Sequence, residues 1–293
     1  MTRVVCVQLA PVLGDVAANR TLSTAAVRAA VDDGADVVVL PELVTSGYVF
    51  TDTAEAAAAA ITAEDPLFAD WAAEAARSPR PGSVVVGGFA ETGPAGTVFN
   101  SAALLDASGV RAVYRKTHLW DREKLLFTPG DEVPPVVDTA HGRIGVIICY
   151  DLEFPEITRS LALDGADLIA VPTNWPLVER PAGERPPEVQ IAMAAARVNH
   201  VFVACADRTG TERGQRWTGG TALIDDQGWV LDTVEEHRES IEGAAHGAVP
   251  GRVVGTAAAD VDLARARDKT WTALADVFAD RRPELYGAVT RLG

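Results

Sequence analysis

Short runs of apolar residues recur along the chain, and most are apolar at every position rather than at every second one. Seven of these runs are centred near Val5, Val38, Val85, Ala102, Ile147, Ile169 and Val203. Continuous apolar runs of this length are typical of strands that are covered on both faces. The sequence therefore predicts a buried β-sheet.

Segments with helical periodicity lie between several of the apolar runs. They span residues 16–33, 53–77, 155–164 and 187–199. Alternation of strands with helices is typical of α/β proteins. Residues 100–115 and 221–232 read differently, as pairs of extended runs joined by short polar turns, and predict β-hairpins. The sheet is therefore expected to be mixed.

The 293 residues show no linker that would separate two domains, so one continuous domain is the simpler prediction. The segment from about 262 to 293 is expected to be an extension that packs on the body or on a partner subunit. Stretches rich in Gly, Pro and charge near Pro94, Gly183 and Gly243 predict exposed loops. A chain of this length can bury a large core.

Charge and hydropathy disfavour several classes of function. The sequence has 41 acidic and 26 basic side chains, for a formal net charge of −15. This balance disfavours binding to nucleic acid or to an anionic membrane, and favours neutral or cationic partners. No apolar run approaches the roughly 20 residues that cross a bilayer, and no basic leader precedes an apolar stretch. We therefore expect a soluble cytoplasmic protein.

The three cysteines are too sparse, and too irregularly spaced, to predict a disulfide framework or a zinc site. Cys6 and Cys205 lie inside strand-like runs, where cysteine usually behaves as a small buried apolar residue. Cys149 instead ends a strand and precedes an apparent helix with Pro155 in its first turn. Backbone N–H groups and a helix dipole at such a junction favour a thiolate. Cys149 is either a core residue or a nucleophile.

Two charged residues also follow strands directly. Glu42 comes after the run near Val38, and Lys116 comes after the hairpin strand that ends at Tyr114. A carboxylate beside a buried strand must be paired, solvated or kept for proton transfer, and Glu42 could equally cap a turn. A single lysine is most often a solvated surface charge. Together with Cys149, the two residues complete the base, oxyanion-stabilising cation and nucleophile that thiol hydrolysis of a C–N bond requires.

The three residues lie in motifs that resemble the signature blocks of the nitrilase superfamily of carbon–nitrogen hydrolases. Glu42 lies in "PELVTSGY", Lys116 in "YRKTHL" and Cys149 in "ICYDLEFPE", in that family's order, and the resemblance covers nearly the whole chain. It implies Glu42 as the general base and acid, Lys116 as the oxyanion stabiliser and Cys149 as the nucleophile. It also implies a role for Glu123, before "FTPG", in orienting Lys116 or the reacting groups.

The fold implied by this resemblance is a four-layer α-β-β-α sandwich with two mixed β-sheets. Members usually assemble through dimers, so a homodimer or higher homo-oligomer is expected. No cofactor and no metal are expected. The residues by themselves indicate only an α/β protein with mixed strands.

The residues after the nucleophile bear on the substrate. Relatives that act on nitriles tend to carry Cys-Trp-Glu, whereas Cys149-Tyr150-Asp151 resembles the amidase and carbamoylase branches. We therefore predict hydrolysis of a small aliphatic amide to a carboxylic acid and ammonia through a thioester on Cys149. The alternative is an N-carbamoyl amine or amino acid amidohydrolase, followed by a nitrilase. Cationic candidates to hold a carboxylate of a carbamoyl amino acid are Arg180, Arg185 and Arg208.

Several residues are candidates to contact the substrate. Asn174 and Trp175 follow a strand beside that of the nucleophile, and similar positions in relatives line the acyl pocket. Tyr48 and Trp120 are further candidates for this pocket, although each aromatic residue also suits a core or interface. The backbone N–H of Tyr150 is a candidate second donor to the oxyanion.

Other classes of function remain open from the residues alone. A papain-like cysteine hydrolase would use a histidine as base, for which His118 and His141 are nearby in sequence. A nucleotide-binding module is disfavoured because "GGFAETGPAG" lacks the G-x-G-x-x-G spacing at a strand-to-helix turn. A non-catalytic interaction protein is possible because enzyme scaffolds are reused. The joint presence of Glu42, Lys116, Glu123 and Cys149 argues against that reading.

Overall fold

The computed structural model describes residues 1–79, 82–234 and 251–291. Within these ranges two six-stranded sheets form the centre of the molecule. The first sheet contains β1 (Thr2–Ala10), β2 (Val37–Val39), β3 (Val84–Thr92), β4 (Val98–Asp106), β5 (Gly109–Arg115) and β14 (Arg252–Val261). The second sheet contains β6 (Val136–Thr139), β7 (Gly142–Val146), β8 (Leu168–Pro172), β9 (Phe202–Ala206), β12 (Ala222–Ile224) and β13 (Val230–Thr233).

Four short strands, five α-helices and several 3₁₀ turns accompany the two sheets in the described residues. The two small ribbons are β10 (Thr211–Glu212) with β11 (Gln215–Arg216), and β15 (Thr270–Thr272) with β16 (Ala275–Asp276). The described α-helices are α1 (Val16–Asp32), α2 (Thr53–Ala58), α3 (Pro66–Ala75), α4 (Pro155–Leu163) and α5 (Pro187–Asn199). The predicted helices at 16–33, 155–164 and 187–199 are thereby confirmed, as are both predicted hairpins.

Each sheet combines parallel and antiparallel pairs, as predicted. The first has the order β14-β1-β2-β3-β4-β5 and the second β13-β12-β9-β8-β7-β6. Strands β1, β2 and β3 run parallel to one another, and so do β7, β8 and β9. The carboxyl ends of parallel strands meet at one edge of a sheet, which is where ligands bind in α/β proteins. The chain leaves β2 towards Glu42 and leaves β7 towards Cys149 at such edges.

Successive side chains of a strand point to opposite faces of its sheet, and this alternation explains the layers of the fold. Cys6 of β1 and Ile144 of β7 belong to one apolar core in which the two sheets face each other. Val7, on the opposite face of β1, packs in a separate core with Val27 of α1 and Trp71 of α3. Helices α4 and α5 pack on the second sheet and its flanking turns. This arrangement is the predicted four-layer α-β-β-α sandwich, and it buries Cys6 as an apolar core residue.

The alanine-rich segment 53–77 differs from its prediction as one amphipathic helix. It forms α2 and α3, and between them Ile61 makes a short bridge to Glu91 of β3. The side chain of Asp65 accepts a hydrogen bond from the backbone N–H of Leu67 at 2.8 Å, and Pro66 opens α3. Proline at a first helical position suits a helix start and cannot continue a preceding helix. The break is therefore encoded locally.

From residue 262 onward the described chain runs over the second sheet and α5. Leu263 is buried in the core between the sheets. Arg267 donates two hydrogen bonds to the carboxylate of Asp167, both at 3.0 Å. The Nζ atom of Lys269 donates to the backbone oxygen of His200 at 2.8 Å. Several polar contacts thus fix this segment on the body of the protein.

The predicted loops can be followed in part. Residues 94–96 form a short 3₁₀ turn, and residues 179–186 lie in the connection from β8 to α5. The predicted loop around Gly243 lies outside the described residues. Across the described ranges, no helix is both long and apolar enough to cross a bilayer.

Candidate active site

The four residues predicted to act in catalysis come from four separate segments. Glu42 lies three residues after β2, Lys116 directly follows β5, and Glu123 lies in a 3₁₀ turn over Asp121–Leu125. Cys149 follows β7 on the other sheet. Glu42 and Lys116 are both 0 % exposed, Glu123 is 2 % exposed and Cys149 is 6 % exposed. The charges of the other three residues all act on the Cys149 thiol, so the structure brings the predicted set together.

Lys116 lies between the two glutamates. Its Nζ atom donates to Glu42 Oε1 at 2.7 Å and to Glu123 Oε1 at 2.9 Å. Burial alone lowers the pKa of Lys116, but the charges of Glu123 and Glu42 outweigh it and raise that pKa well above the ordinary value. The ammonium is therefore a fixed positive charge inside the protein. Removing one partner from such a buried pair typically costs about 3–5 kcal/mol.

Glu42 has one oxygen engaged and one oxygen free. Its Oε1 atom accepts hydrogen bonds from Lys116 and, at 2.7 Å, from Nδ2 of Asn100. Its Oε2 atom is buried without a hydrogen-bond partner among the described residues. Burial, followed by the charge of Glu123, raises the pKa of Glu42 to about 7 against the opposing effects of Lys116 and Asn100. Glu42 is thus suited to accept and return a proton near neutral pH.

Glu123 uses both of its oxygens. Oε1 accepts from Lys116 and from the hydroxyl of Tyr48 at 2.6 Å, and Oε2 accepts from the backbone N–H of Trp120 at 2.8 Å. Burial, then the charges of Glu123 and Glu42, raises the pKa of Tyr48 well above its ordinary value, so its hydroxyl keeps the proton that it donates. These contacts fix Glu123 as a support for Lys116.

Asn100 is a site residue that the sequence analysis missed. Its Nδ2 atom donates to Glu42 at 2.7 Å and to Glu123 at 3.3 Å, and its backbone oxygen accepts from the N–H of Lys116 at 2.8 Å. It is fully buried in the otherwise largely apolar strand β4. A buried amide needs hydrogen-bond partners, so a polar residue in such a strand was the available signal.

Cys149 lies at a sharp junction between strand and helix. Its φ of 48° is in the left-handed region, which is uncommon for a residue other than glycine and costs about 1–3 kcal/mol. A 3₁₀ turn over Cys149–Glu153 leads directly into α4, whose first residue is Pro155. We call residues 148–153 the nucleophile elbow. The surrounding contacts must offset the strain at Cys149.

The electrostatics of the thiol differ from the expectation of a stabilised thiolate. Burial, followed by the charge of Glu42, raises the pKa of Cys149 well above its ordinary value. Lys116 and a hydrogen bond from the backbone of Asn174 act in the opposite direction but do not prevail. The resting sulfur therefore carries its proton. A nucleophile in this state needs an adjacent base, and Glu42 is the group with a free oxygen.

The two histidines considered as alternative bases have other partners. The ring of His118 stacks on Phe154 with centroids 3.7 Å apart, and its Nδ1 atom lies 2.8 Å from Asp151 Oδ1. The Nε2 atom of His141 hydrogen-bonds to the backbone oxygen of Gly82 at 2.9 Å. These positions do not favour the papain-like mechanism.

Asn174 and Trp175, predicted to line the acyl pocket, closely follow β8, and a backbone hydrogen bond from Asn174 reaches the Cys149 thiol. Asn174 is 1 % exposed, and neither side-chain amide atom has a hydrogen-bond partner among the described residues. Trp175 is also buried, and its backbone N–H donates to Asp207 Oδ1 at 3.0 Å. A Cβ atom at Gly220 would lie 2.7 Å from the Trp175 ring, so only glycine leaves room for the indole. The unsatisfied amide of Asn174 is a candidate contact for substrate.

The other predicted pocket residues differ in exposure. The ring of Tyr48 packs edge-on against Trp217 with centroids 5.1 Å apart, while its hydroxyl binds Glu123. Trp120 is 40 % exposed, and its ring packs edge-on against Tyr150 with centroids 4.8 Å apart. Tyr48 therefore belongs to the buried network, whereas Trp120 and Tyr150 form an aromatic pair nearer to solvent. The backbone N–H of Tyr150 belongs to the first turn after Cys149, where such groups lack partners within the turn.

The three candidate arginines also differ in burial and in their partners. Arg208 is buried, pairs with Glu212 at 2.9 Å and lies over the Trp217 ring at 4.8 Å. Arg180 borders a cavity of about 540 Å³ between the loop after β8 and the β10–β11 ribbon. Arg185 is exposed on the same loop. Arg208 therefore already has an acidic partner within the protein.

Known proteins resemble this chain over most of its length. The family model described as Carbon-nitrogen hydrolase matches residues 3–268. A nitrilase from Pyrococcus abyssi is 33 % identical over 286 residues, which cover 98 % of this chain and 99 % of the relative. An (R)-stereoselective amidase from a Pseudomonas species is 35 % identical over 227 residues, covering 77 % and 78 % of the two chains.

A solved structure of similar fold gives information about an active-site cysteine. The amidase from Nesterenkonia sp. AN1 superposes with a TM-score of 0.75 at 27 % identity, covering 98 % of this chain and 99 % of the other. In a variant of that amidase with glutamine in place of a glutamate, the acetamide moiety of fluoroacetamide is covalently added to the active-site cysteine. The match of the family model and the two-sheet architecture agree with the motifs around Glu42, Lys116 and Cys149. This chain belongs to the carbon–nitrogen hydrolase family, within the nitrilase superfamily.

Proposed function

We propose that this protein is a thiol amidase that hydrolyses a small aliphatic amide to a carboxylic acid and ammonia. The observation that carries the proposal is the buried network of Glu42, Lys116 and Glu123 around the Cys149 thiol, with Glu42 Oε2 free. A fixed cation, a base that titrates near neutrality and a protonated thiol are the parts that acyl transfer from an amide requires. Relatives named as amidases support the same reaction.

In the acylation step, Glu42 takes the thiol proton while the sulfur of Cys149 attacks the carbonyl carbon of the amide. The electron pair of the C=O bond moves to oxygen, and the oxyanion receives hydrogen bonds from Lys116 Nζ and the backbone N–H of Tyr150. When this intermediate collapses, the C–N bond breaks and Glu42 returns the proton to the departing nitrogen. Ammonia leaves, and the acyl group remains on Cys149 as a thioester.

The deacylation step uses the same groups in the opposite direction. Glu42 takes a proton from a water molecule, whose oxygen attacks the thioester carbonyl. The second oxyanion collapses with cleavage of the C–S bond, and the proton on Glu42 returns to the sulfur of Cys149. The carboxylic acid then leaves. Removing one oxyanion donor from such a site typically lowers kcat by about 10²–10³-fold.

The enclosure of the site bears on the class of substrate. Glu42 and Lys116 are 0 % exposed and Trp175 is 3 % exposed, so the catalytic groups are closed off from bulk solvent, which disfavours a bulky macromolecular substrate. The free amide of Asn174 offers one donor and one acceptor beside the nucleophile, which suits a substrate with a polar planar group. A small primary amide fits both features. An N-carbamoyl amine would use the same catalytic groups, and it is therefore the competing substrate class in the test.

We propose further that residues 1–293 act as one domain, in a cytoplasmic homodimer. The burial of Leu263 in the core supports the single domain, and the exposed apolar side chains of Leu163 on α4 and Val198 on α5 support a covered surface there. Apolar side chains clustered on a surface are typical of subunit contacts. A monomer at micromolar concentration in analytical ultracentrifugation would contradict the dimer.

The proposed function is tested by ammonia release from a panel of aliphatic amides, ω-amino amides, N-carbamoyl amines and nitriles. We expect aliphatic amides to be turned over fastest. Cys149→Ala is expected to abolish release because no other group can form the thioester, while circular dichroism and thermal unfolding stay close to those of the wild type. Mass spectrometry of the trapped wild-type enzyme is expected to find the acyl group on Cys149.

Cys205→Ala is the matched control for the nucleophile. Cys205 is a second buried thiol, located in the core between the sheets, and its removal is expected to leave ammonia release intact. Undiminished turnover in Cys149→Ala would refute the thiol mechanism. Preferred turnover of a carbamoyl amine or a nitrile would refute the substrate class while retaining the nucleophile.

A further inference from the structure

Asp151 is fully buried two residues after Cys149, and its carboxylate binds two separate segments of the chain. Oδ2 accepts a hydrogen bond from the backbone N–H of Ile148 at 3.0 Å, within the nucleophile elbow. Oδ1 accepts from the backbone N–H of His118 at 3.1 Å, two residues after Lys116. One carboxylate therefore joins the segment that carries the nucleophile to the segment that carries the cation.

Side-chain donors complete the environment of this carboxylate. The Tyr114 hydroxyl lies 2.9 Å from Oδ2, and the Thr117 hydroxyl lies 3.2 Å from Oδ1. The Nδ1 atom of His118 lies 2.8 Å from Oδ1. Tyr114 and Thr117 flank Lys116 and its neighbour Arg115 in the chain. Both carboxylate oxygens thus have several donors, which fixes the plane of the group and leaves it little freedom to rotate.

The nucleophile elbow needs the hydrogen bonds to Asp151 because its backbone is strained at Cys149. Cys149 has a φ of 48°, a strained conformation for a residue with a Cβ atom, and it persists only where surrounding contacts fix it. The hydrogen bond from Ile148 to Asp151 closes this turn on the strand side of Cys149. The same turn orients the backbone N–H of Tyr150. Loss of this hydrogen bond would allow both the Cys149 sulfur and the Tyr150 N–H to shift from their positions.

Lys116 needs a second restraint as well. Glu42 and Glu123 fix its Nζ atom, but they lie on segments of the first sheet, whereas Cys149 follows the second sheet. The hydrogen bond from the backbone N–H of His118 to Asp151 connects the backbone of the Lys116 segment to the elbow, and the Tyr114 and Thr117 hydroxyls add side-chain contacts to the same carboxylate. A displacement of 1 Å between reacting groups typically costs about 10²-fold in rate.

We propose that Asp151 is a positioning residue, which sets the distance from the ammonium of Lys116 to the sulfur of Cys149 and the N–H of Tyr150. The residue acts through these groups and does not touch the substrate. The inference rests on the proposed function, because it assumes that those three groups perform the reaction.

Asp151→Asn is the primary test. Asparagine keeps the shape of the side chain, but its NH₂ group must face either the N–H of Ile148 or the N–H of His118, so one of the two segments loses its acceptor. We expect kcat to fall by about 10²-fold with KM changed by less than about threefold, because the substrate contacts remain. The rates are normalised to the folded fraction of each variant, which circular dichroism and thermal unfolding measure.

Tyr114→Phe is the matched control. It removes one donor to the same carboxylate and leaves both backbone contacts, so kcat is expected to stay within about threefold of the wild type. His118→Ala removes the imidazole but keeps the backbone N–H, and it is also expected to retain most of kcat. If Asp151→Asn folds poorly, Asp151→Glu replaces it, because the longer side chain keeps the charge but displaces both segments.

The outcomes separate this inference from its alternatives. A wild-type kcat per folded molecule in Asp151→Asn, with only a lower Tm, would show a purely structural residue and overturn the proposal. A loss in His118→Ala equal to that in Asp151→Asn would assign the effect to the imidazole and also overturn it. If Cys149→Ala remains active, the proposed function itself fails. If Cys149→Ala is inactive but Asp151→Asn keeps the wild-type kcat, only the positioning role fails.

Discussion

Glu42 and Glu123 both bind the Nζ atom of Lys116, at 2.7 and 2.9 Å, but their surroundings differ. Glu123 also accepts from the Tyr48 hydroxyl and the backbone N–H of Trp120, so both of its oxygens are engaged. Glu42 leaves Oε2 without a partner in the described part of the chain. The fully engaged glutamate is suited to support the cation. The incompletely engaged glutamate is suited to move a proton.

The structural element that carries each glutamate explains this difference. Glu42 enters from the end of β2 and faces the Cys149 thiol, whose pKa it raises. Glu123 enters from a 3₁₀ turn, and its own side chain accepts the N–H of Trp120 three residues earlier, so the turn and the carboxylate fix each other. Two glutamates on one lysine therefore have different predicted roles because their local structures differ.

The largest effect is expected for Glu42→Gln. Glutamine keeps an oxygen for Lys116 and Asn100 but cannot accept the thiol proton, so kcat for ammonia release is expected to fall by about 10³-fold. The Tm is expected to change little because the shape and the hydrogen bonds to Oε1 persist. Steady-state ammonia release and thermal unfolding measure the two quantities.

His118→Ala is the control that distinguishes the two possible bases. Its ring binds Asp151 and stacks on Phe154 rather than Cys149, so its loss is expected to leave most of kcat. Retained activity in Glu42→Gln combined with lost activity in His118→Ala would reverse the assignment and favour the papain-like mechanism.

A smaller effect is expected for Glu123→Gln. The oxygen on Lys116 can remain, but the new NH₂ group then faces the N–H of Trp120, which leaves a buried donor unsatisfied at a cost of about 1–3 kcal/mol. We expect kcat to fall by about 10- to 100-fold as Lys116 loses part of its support, with a clear decrease in Tm.

Tyr48→Phe also tests the support that Glu123 gives to Lys116, through the Tyr48 hydroxyl that donates to Glu123. It removes one donor to Glu123 but keeps the charge, so its loss of kcat should be smaller than that of Glu123→Gln. A loss in Glu123→Gln as large as that in Glu42→Gln, without a change in Tm, would give Glu123 a direct part in proton transfer.

The sequence predicted those parts of the site that depend on local position. Glu42, Lys116 and Cys149 each follow a strand and lie in motifs that resemble the nitrilase superfamily, and that resemblance predicted their roles. Strand position alone was not enough, because β3 and β4 separate β2 from β5 and β7 belongs to the other sheet. Asn100 was missed because its role depends on the spatial approach of two glutamates from other segments. Nothing within the "VFNSAALLD" strand indicates which residues it will face.

The pKa of the Cys149 thiol shows the same limit of local reasoning. The local argument considered the backbone N–H groups and the helix dipole at the junction, both of which favour a thiolate. In the structure burial and the carboxylate of Glu42 oppose them and raise the pKa of the thiol. Neither factor can be read from residues adjacent to Cys149. Burial also explains why the same residue needs a base.

The pH dependence offers the finest comparison of the two glutamates. The pKa of Glu42 is raised to about 7, so below that pH the carboxylate is increasingly protonated and cannot take the thiol proton. In the wild type, kcat/KM is therefore expected to fall about tenfold per pH unit below about pH 7. A pH–rate profile from 5 to about 9 measures this acid limb.

Glu123→Gln is expected to move the acid limb to lower pH, although it lowers the maximal rate. The negative charge of Glu123 is one of the causes that raise the pKa of Glu42, so removing this charge makes Glu42 easier to ionise. Glu74→Gln is the matched control, because Glu74 is a buried glutamate that pairs with Arg28 on the helical face of the first sheet. Its acid limb should coincide with that of the wild type. An unmoved limb in Glu123→Gln would mean that a group other than Glu42 controls the acid side of the profile.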